Sequence, residues 1–269
     1  MKIGYAASSG EIDIFDTLEN TKKNGFDGVE LNVNMPIFFP ENFTKEDREK
    51  IKKYKMDNDI EITLHGPEDI TLLQLQENIR KACIHRFKEV IDFGYDIGAS
   101  RMTIHIGSAV CFTLIDRKSY LDELYKDEYK KVLKESLIEL SIYSKGKILL
   151  CIENSGRFPR KIVQETLEEI IDTENIYLTW DIGHSYTNEY EEVEFFMKHI
   201  NKVKTCHLHD HNGKMDHQII GSGKVDFKWH VNQMKKNDVI YIIEVRPRKY
   251  AIESFEKLKE MNLINKLAK

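Results

Sequence analysis

Eight short runs rich in β-branched and aromatic residues, separated by longer charged stretches, constrain this 269-residue chain more than any other feature. They are KIGYAA (2–7), GVELNV (28–33), EITLH (61–65), RMTIH (101–105), KILLCIE (147–153), IYLTWD (176–181), VKTCHLH (203–209) and VIYIIEV (239–245). The intervening stretches carry helical periodicity, as in residues 14–25, 80–98, 129–146 and 252–262, and several stop at a glycine. Strands alternating with helices in this way build a parallel sheet. Eight units of about 34 residues each have the size expected of a closed (β/α)8 barrel. An open doubly wound sheet is the competing architecture. No linker, low-complexity tract or strong repeat divides the chain, so residues 1–269 are expected to form one domain.

Composition agrees with a folded barrel. Hydrophobic residues make up 41% and charged residues 32%, enough for a large core and a solvated surface. The net charge of −5 supplies no global attraction for nucleic acid. The Lys-rich segment 44–55 mixes both signs at helical spacing and reads as a solvated helix face. Cys83, Cys111, Cys151 and Cys206 are scattered, with no CxxC pair, and two of them sit in strand-like runs. Reduced thiols and a cytoplasmic location are therefore expected. The N-terminus enters a strand at once, and no apolar run approaches the ~20 residues of a membrane span.

Four of the strands end alike: Thr63-Leu-His65, Thr103-Ile-His105, Thr179-Trp-Asp181 and Thr205-Cys-His207. Residues two apart on a strand share a face, so each pair places a small polar group in the barrel and a metal-capable group one layer above it. Two further strands put carboxylates at the same level, Glu153 and Glu244. The C-terminal ends of barrel strands converge on the active site, so six strands aim donors at one volume. A single His or Glu ending a strand is more often a structural residue; six at one height argue otherwise. Carboxylates gathered so closely repel one another unless a cation balances them, and imidazole with carboxylate suits Zn2+ or Mn2+ better than Ca2+.

The densest stretch is HLHDH (207–211). His207 keeps the Thr-x-ligand phase. His209 shares its face but lies beyond the ligand layer, where a substrate contact, support of a ligand and a structural role are all open. Asp210 begins a loop, and His211 reads as a surface residue. His85, His199 and His230 lie in helix patterns away from the strand ends and read as ordinary surface or core residues.

With TLHGPEDITL (63–72), TIHIGS (103–108), LLCIENSG (149–156), TWDIGHS (179–185), HLHDHNG (207–213), DHQIIGSGKVDF (216–227) and IIEVRP (242–247), the chain resembles the xylose-isomerase-like TIM barrels. That superfamily holds sugar and sugar-phosphate isomerases and epimerases together with family-2 abasic-site (AP) endonucleases. The isomerase branch implies one metal held by Glu153, Asp181, His207 and Glu244. The endonuclease branch implies three zinc ions, adding His65 and His105 at one and His184 and His217 at another. That branch expects an aspartate two residues before the second loop histidine; this chain has Met215 there, with Asp216 directly beside His217.

The resemblance implies a divalent-metal-dependent isomerase or epimerase of a small sugar or sugar phosphate, with one to three Zn2+ or Mn2+ ions per chain. Glu153 and Glu244 would be the catalytic carboxylates, exchanging a proton beside the carbonyl through a metal-stabilised enediolate. His184, His209 and Arg246 are candidate substrate contacts. The alternative is an AP-endonuclease-like phosphodiesterase; a dehydratase using the same enolate chemistry and a non-catalytic barrel are further readings. The loops 34–43 and 66–70 carry Glu41, Glu68 and Asp69 with no Lys or Arg, which disfavours nucleic acid. Phe38 and Phe39 are expected to form an aromatic lid over a small substrate. GSGK (221–224) offers backbone amides to a phosphate, although a turn is the stronger expectation. A homo-oligomer is compatible with all of this.

Overall fold

A computed structural model describes residues 1–173 and 175–264. In chain order its first half runs β1 (Lys2–Ala7), α1 (Ile14–Lys23), β2 (Gly28–Asn32), α2 (Lys45–Asp57), β3 (Glu61–His65), α3 (Glu77–Ile97) and β4 (Arg101–Ile104). A small insertion follows: β5 (Cys111–Thr113), β6 (Lys118–Tyr120) and α4 (Leu121–Leu124). The second half is α5 (Lys126–Ser144), β7 (Leu149–Glu153), α6 (Lys161–Ile170), β8 (Ile176–Asp181), α7 (Ile182–Thr187), α8 (Val193–Lys198), β9 (Val203–Leu208), α9 (Phe227–Met234), β10 (Ile240–Ile243) and α10 (Arg248–Glu260).

All eight expected strands are present, and they close into a parallel barrel in the order β1-β2-β3-β4-β7-β8-β9-β10. The open-sheet alternative is thereby excluded. The antiparallel pair β5–β6 lies outside the barrel and was not expected.

Strand alternation sorts the side chains into two environments. Outward positions such as Val29, Leu64, Met102, Ile152, Trp180, Leu208 and Ile243 join one continuous apolar shell with the helices. The inward apolar cluster is far smaller, Ala6, Ile240 and Ile242. The rest of the interior is polar and buried, from Arg101 near the N-terminal end, through Glu30 and the threonines, to the histidines and carboxylates above. Arg101 is held there by Glu61 Oε1 at 2.9 Å and by the carbonyl of Lys204.

Local chemistry sets the helix ends. Thr44 and Asp47 form a reciprocal capping box that starts α2. Gly98, in the left-handed region at φ 75°, ends α3 where the 80–98 pattern stopped. Among the described residues no helix is long and apolar enough to cross a membrane, and all four cysteines are free thiols.

Candidate metal centre

His65, Glu153 and Asp181 are the last residues of their strands, His207 is the last but one of β9, and His105 and Glu244 come one residue after β4 and β10. One donor atom from each of Glu153, Asp181, His207 and Glu244 lies within 4.8 Å of the others. His65, His105 and Glu153 form a second such group, so Glu153 is common to both. Glu153 Oε2 lies 3.0 Å from His105 Nε2 and 3.4 Å from His65 Nε2, while its Oε1 lies 3.3 Å from His184 Nδ1. Glu244 Oε2 is 3.1 Å from His207 Nδ1. The eight residues expected as metal donors are thus gathered at one end of the barrel.

Burial makes this arrangement costly without a counter-ion. Glu153, Asp181 and Glu244 are buried together, and a low-dielectric site strongly disfavours such like charges unless protonated imidazoles or a bound cation balance them. Glu153 Oε1, His184 Nδ1, His207 Nδ1 and Glu244 Oε2 are buried with no hydrogen-bond partner among the described residues. Buried polar atoms are ordinarily paired, so unpaired nitrogens and carboxylate oxygens pointing at one another fit a divalent cation. Burial alone would raise the Glu153 carboxyl, but the imidazoles of His105 and His207 bring it well below its ordinary range. For Glu244, burial is likewise outweighed, by Arg246 and His207. Both carboxylates are therefore held in the ionised form.

His184, His209 and His217 form a third group, but the nitrogens of His209 are already engaged. Its Nε2 contacts Asp181 at 3.0 Å, and its Nδ1 accepts the backbone N–H of His217 at 2.9 Å. His209 is fully buried behind Asp181. Of the roles left open for His209, this geometry fits a brace on Asp181 better than a direct substrate contact. Gly183 makes this possible, since a Cβ there would run into the His209 ring. His217 stands in the left-handed region at φ 50°, with Nδ1 3.0 Å from the Glu244 carbonyl.

One loop expectation holds and another is corrected. The amides of GSGK do not await a phosphate. Asp210, almost fully buried, takes Gly221 N–H and Gly223 N–H on Oδ2 at 3.0 and 2.8 Å, and His211 N–H and Val225 N–H on Oδ1 at 2.8 and 3.1 Å. The aromatic lid is absent as well. Phe38 is 0% exposed and belongs to the main core, and Phe39 lies under the Arg86 guanidinium, 5.5 Å from its ring centre. His211 proves buried, with Nδ1 accepting the Gly213 N–H at 2.9 Å.

Beside His105 an open cleft is lined by Glu68, Asp69, Thr71, Ser108 and Ser155 among others, with no Lys or Arg among its lining residues. Arg246 forms an ion pair with Glu244. One residue of the site escaped the sequence reading: Glu30, fully buried inside the barrel, whose Oε1 lies 3.0 Å from His207 Nε2. Its signal was a lone carboxylate within a strand that is otherwise buried throughout.

Known proteins share this framework. Residues 18–261 match the family model described as xylose isomerase-like TIM barrel. An uncharacterized protein of Methanocaldococcus jannaschii is 30% identical over 195 residues, 70% of this chain and 71% of that protein. Among solved structures, a D-tagatose 3-epimerase-like protein aligns with a TM-score of 0.80 at 23% identity, covering 98% of each chain. The IOLI protein with a bound zinc atom gives 0.74 at 17% identity, over 98% of this chain and 97% of that one. The 3-keto-D-glucoside 4-epimerase YcjR of E. coli gives 0.72 at 17% identity, over 97% and 99%. At such identities the likeness establishes the fold and not the reaction. The chain belongs to the xylose isomerase-like TIM barrel family.

Proposed function

We propose that this protein is a divalent-metal-dependent isomerase or epimerase of a small, uncharged sugar. The observation that carries the reading is the convergence of unpaired, buried donors from Glu153, His184, His207 and Glu244 beside an open cleft. The epimerase names among the structural neighbours point the same way. A neutral substrate is favoured over a phosphorylated one. The cleft carries Glu68 and Asp69 with no cation, Arg246 is paired with Glu244, and the glycine-rich amides are filled by Asp210.

Glu153, Asp181, His207 and Glu244 would hold the ion. A bound divalent cation supplies Lewis acidity toward a carbonyl and its neighbouring hydroxyl. Glu153 and Glu244 stand on strands three apart around the barrel, so they address the substrate from different sides. One takes the proton from the carbon beside the carbonyl and the other returns one. Glu68 and Ser155 on the cleft wall accept and donate hydrogen bonds to sugar hydroxyls, and His184 reaches in from α7.

The test is metal analysis of the purified protein, followed by NMR of a ketose and aldose panel in D2O. The expected result is bound Zn2+ or Mn2+ and deuterium incorporation beside a carbonyl, abolished in Glu153→Gln while sugar binding stays measurable. Absence of exchange with every sugar, or full exchange in Glu153→Gln, overturns the reading. The sharing of Glu153 between two donor groups favours one second reading, a multinuclear phosphodiesterase. Three zinc ions per chain with cleavage of abasic duplex DNA would establish that instead.

A further inference from the structure

Beneath the donors lies a polar layer that the proposed chemistry does not use. Thr63, Thr103, Thr179 and Thr205 are all fully buried there, two residues below His65, His105, Asp181 and His207. Glu30 enters the same layer from β2, where its register partner is Thr63. Its Oε2 accepts the hydroxyls of Thr63 at 3.2 Å and Thr103 at 3.4 Å, and Thr103 is linked on to Thr179 at 2.9 Å. The other oxygen, Oε1, lies 3.0 Å from His207 Nε2, close enough for charge attraction, but neither atom has an aligned hydrogen-bond partner among the described residues.

His207 has two ring nitrogens and no contact with solvent. Nε2 faces Glu30, while Nδ1 faces the three carboxylates, 3.1 Å from Glu244, 3.6 Å from Glu153 and 3.8 Å from Asp181. A neutral imidazole carries its proton on one nitrogen and a lone pair on the other. With a cation among the three carboxylates at Nδ1, that nitrogen must offer its lone pair, and the carboxylate at Nε2 favours the N–H there. His65, the other ring near Glu30, is committed differently: its Nδ1 is 3.1 Å from the Gly66 carbonyl, leaving Nε2 to face Glu153.

We infer that Glu30 is a positioning residue for the metal centre: held by Thr63 and Thr103, it selects the His207 tautomer and aims Nδ1 at the ion. The inference rests on the metal reading of this site and not on the reaction assigned to it. Carboxylates that orient metal-bound histidines typically change metal affinity by about 10–100-fold. The threonine-x-donor repeat thereby acquires a second meaning. Two of its threonines, Thr63 and Thr103, build the socket for the carboxylate beneath the donors.

The test uses Zn2+ affinity, by competition with a chromophoric chelator, and the visible spectrum of the Co2+-loaded protein. Glu30→Gln keeps an acceptor but loses the charge, and about 10-fold weaker binding is expected. Glu30→Leu loses both, with about 100-fold weaker binding and an altered Co2+ spectrum. Should Glu30→Leu fail to fold, the double variant Thr63→Val/Thr103→Val decides. It leaves Glu30 in place without its hydroxyl partners and should weaken Zn2+ binding several-fold. Thr205→Val is the control, because its hydroxyl makes no hydrogen bond to Glu30 or His207; its affinity should match wild type. Wild-type affinity and spectrum in both Glu30→Gln and the double variant would overturn the role of Glu30. So would the loss of one whole equivalent of metal with the remainder unaffected, since Glu30 would then itself be a ligand. A wild-type protein that takes up no divalent ion would instead overturn the metal reading.

Discussion

Replacing Asp210 by alanine should destabilise this barrel more than most surface or loop substitutions, although Asp210 touches none of the four central donors. Its carboxylate accepts four backbone N–H groups at 2.8–3.1 Å. Gly223 can serve only as glycine, because a Cβ there would run into the Asp210 carboxylate and the His211 carbonyl. In Asp210→Ala, the amides of His211 and Val225 stay buried without an acceptor, while those of Gly221 and Gly223 are better placed to recruit water. An unsatisfied buried donor costs about 1–3 kcal/mol, so two give roughly 4 kcal/mol. That is a large share of the ~5–15 kcal/mol by which a typical domain is stable. For a chain of this size it corresponds to a melting temperature lower by about 10 °C. Urea and thermal unfolding followed by circular dichroism would measure the loss, and hydrogen exchange should locate it at the 211–225 loop. A loss below about 1 kcal/mol would refute the reasoning, as would tight binding of inorganic phosphate by the wild-type loop.

Three further outcomes are expected. Burial pulls His65 and His184 down, but Glu153 and Asp181 more than reverse it, to about 9 and about 10 in the metal-free protein. Raised histidine values stabilise fully below the unfolded value near 6.5 and lose that effect as pH climbs through 9 to 10. The melting temperature of chelated protein should therefore fall across that window, and Zn2+ uptake at pH 7 should release protons, seen by calorimetry in two buffers; a rising melting temperature would contradict this. Gly183→Ala should cost about 1–3 kcal/mol by pushing His209 off Asp181, measured by urea unfolding together with weaker Zn2+ binding. Arg157→Met should cost about 3–5 kcal/mol, because it strands the buried Asp122 that it now binds at 2.8–3.0 Å; adding Asp122→Leu should restore most of the loss in the same assay.

Which parts of this molecule are legible from residues alone follows from the range of the forces involved. Period two is a local property of a strand, so Thr63-x-His65, Thr103-x-His105, Thr179-x-Asp181 and Thr205-x-His207 announce their common face without knowledge of neighbours. The strands themselves were legible because each is buried on both sides and rich in apolar residues. The β5–β6 pair was not, since Cys111, Phe112 and Thr113 are exposed and carry no burial pattern. Phe38 was misread for a related reason. The short turns beginning at Pro36 and Pro40 accompany the burial of that ring in the main core, a tertiary outcome that loop composition does not encode.

Glu30 shows where the local rule stops. In β2 the residue level with His65 is Asn32, and Glu30 is level with Thr63, one layer lower. A search for donors at strand ends passes over it, because the height of one strand relative to another depends on the stagger of the closed barrel. The same stagger explains why a carboxylate is tolerated so deep. Thr63 and Thr103 donate to one of its oxygens and the His207 ring stands 3.0 Å from the other, each from a different strand, so these neighbours surround the carboxylate only once the barrel has closed. The donor layer is therefore written strand by strand, and the layer that orients it exists only in the assembled fold. Substitutions of Glu30, Thr63 or Thr103 should accordingly change how tightly the proposed centre holds an ion before they change whether the barrel forms.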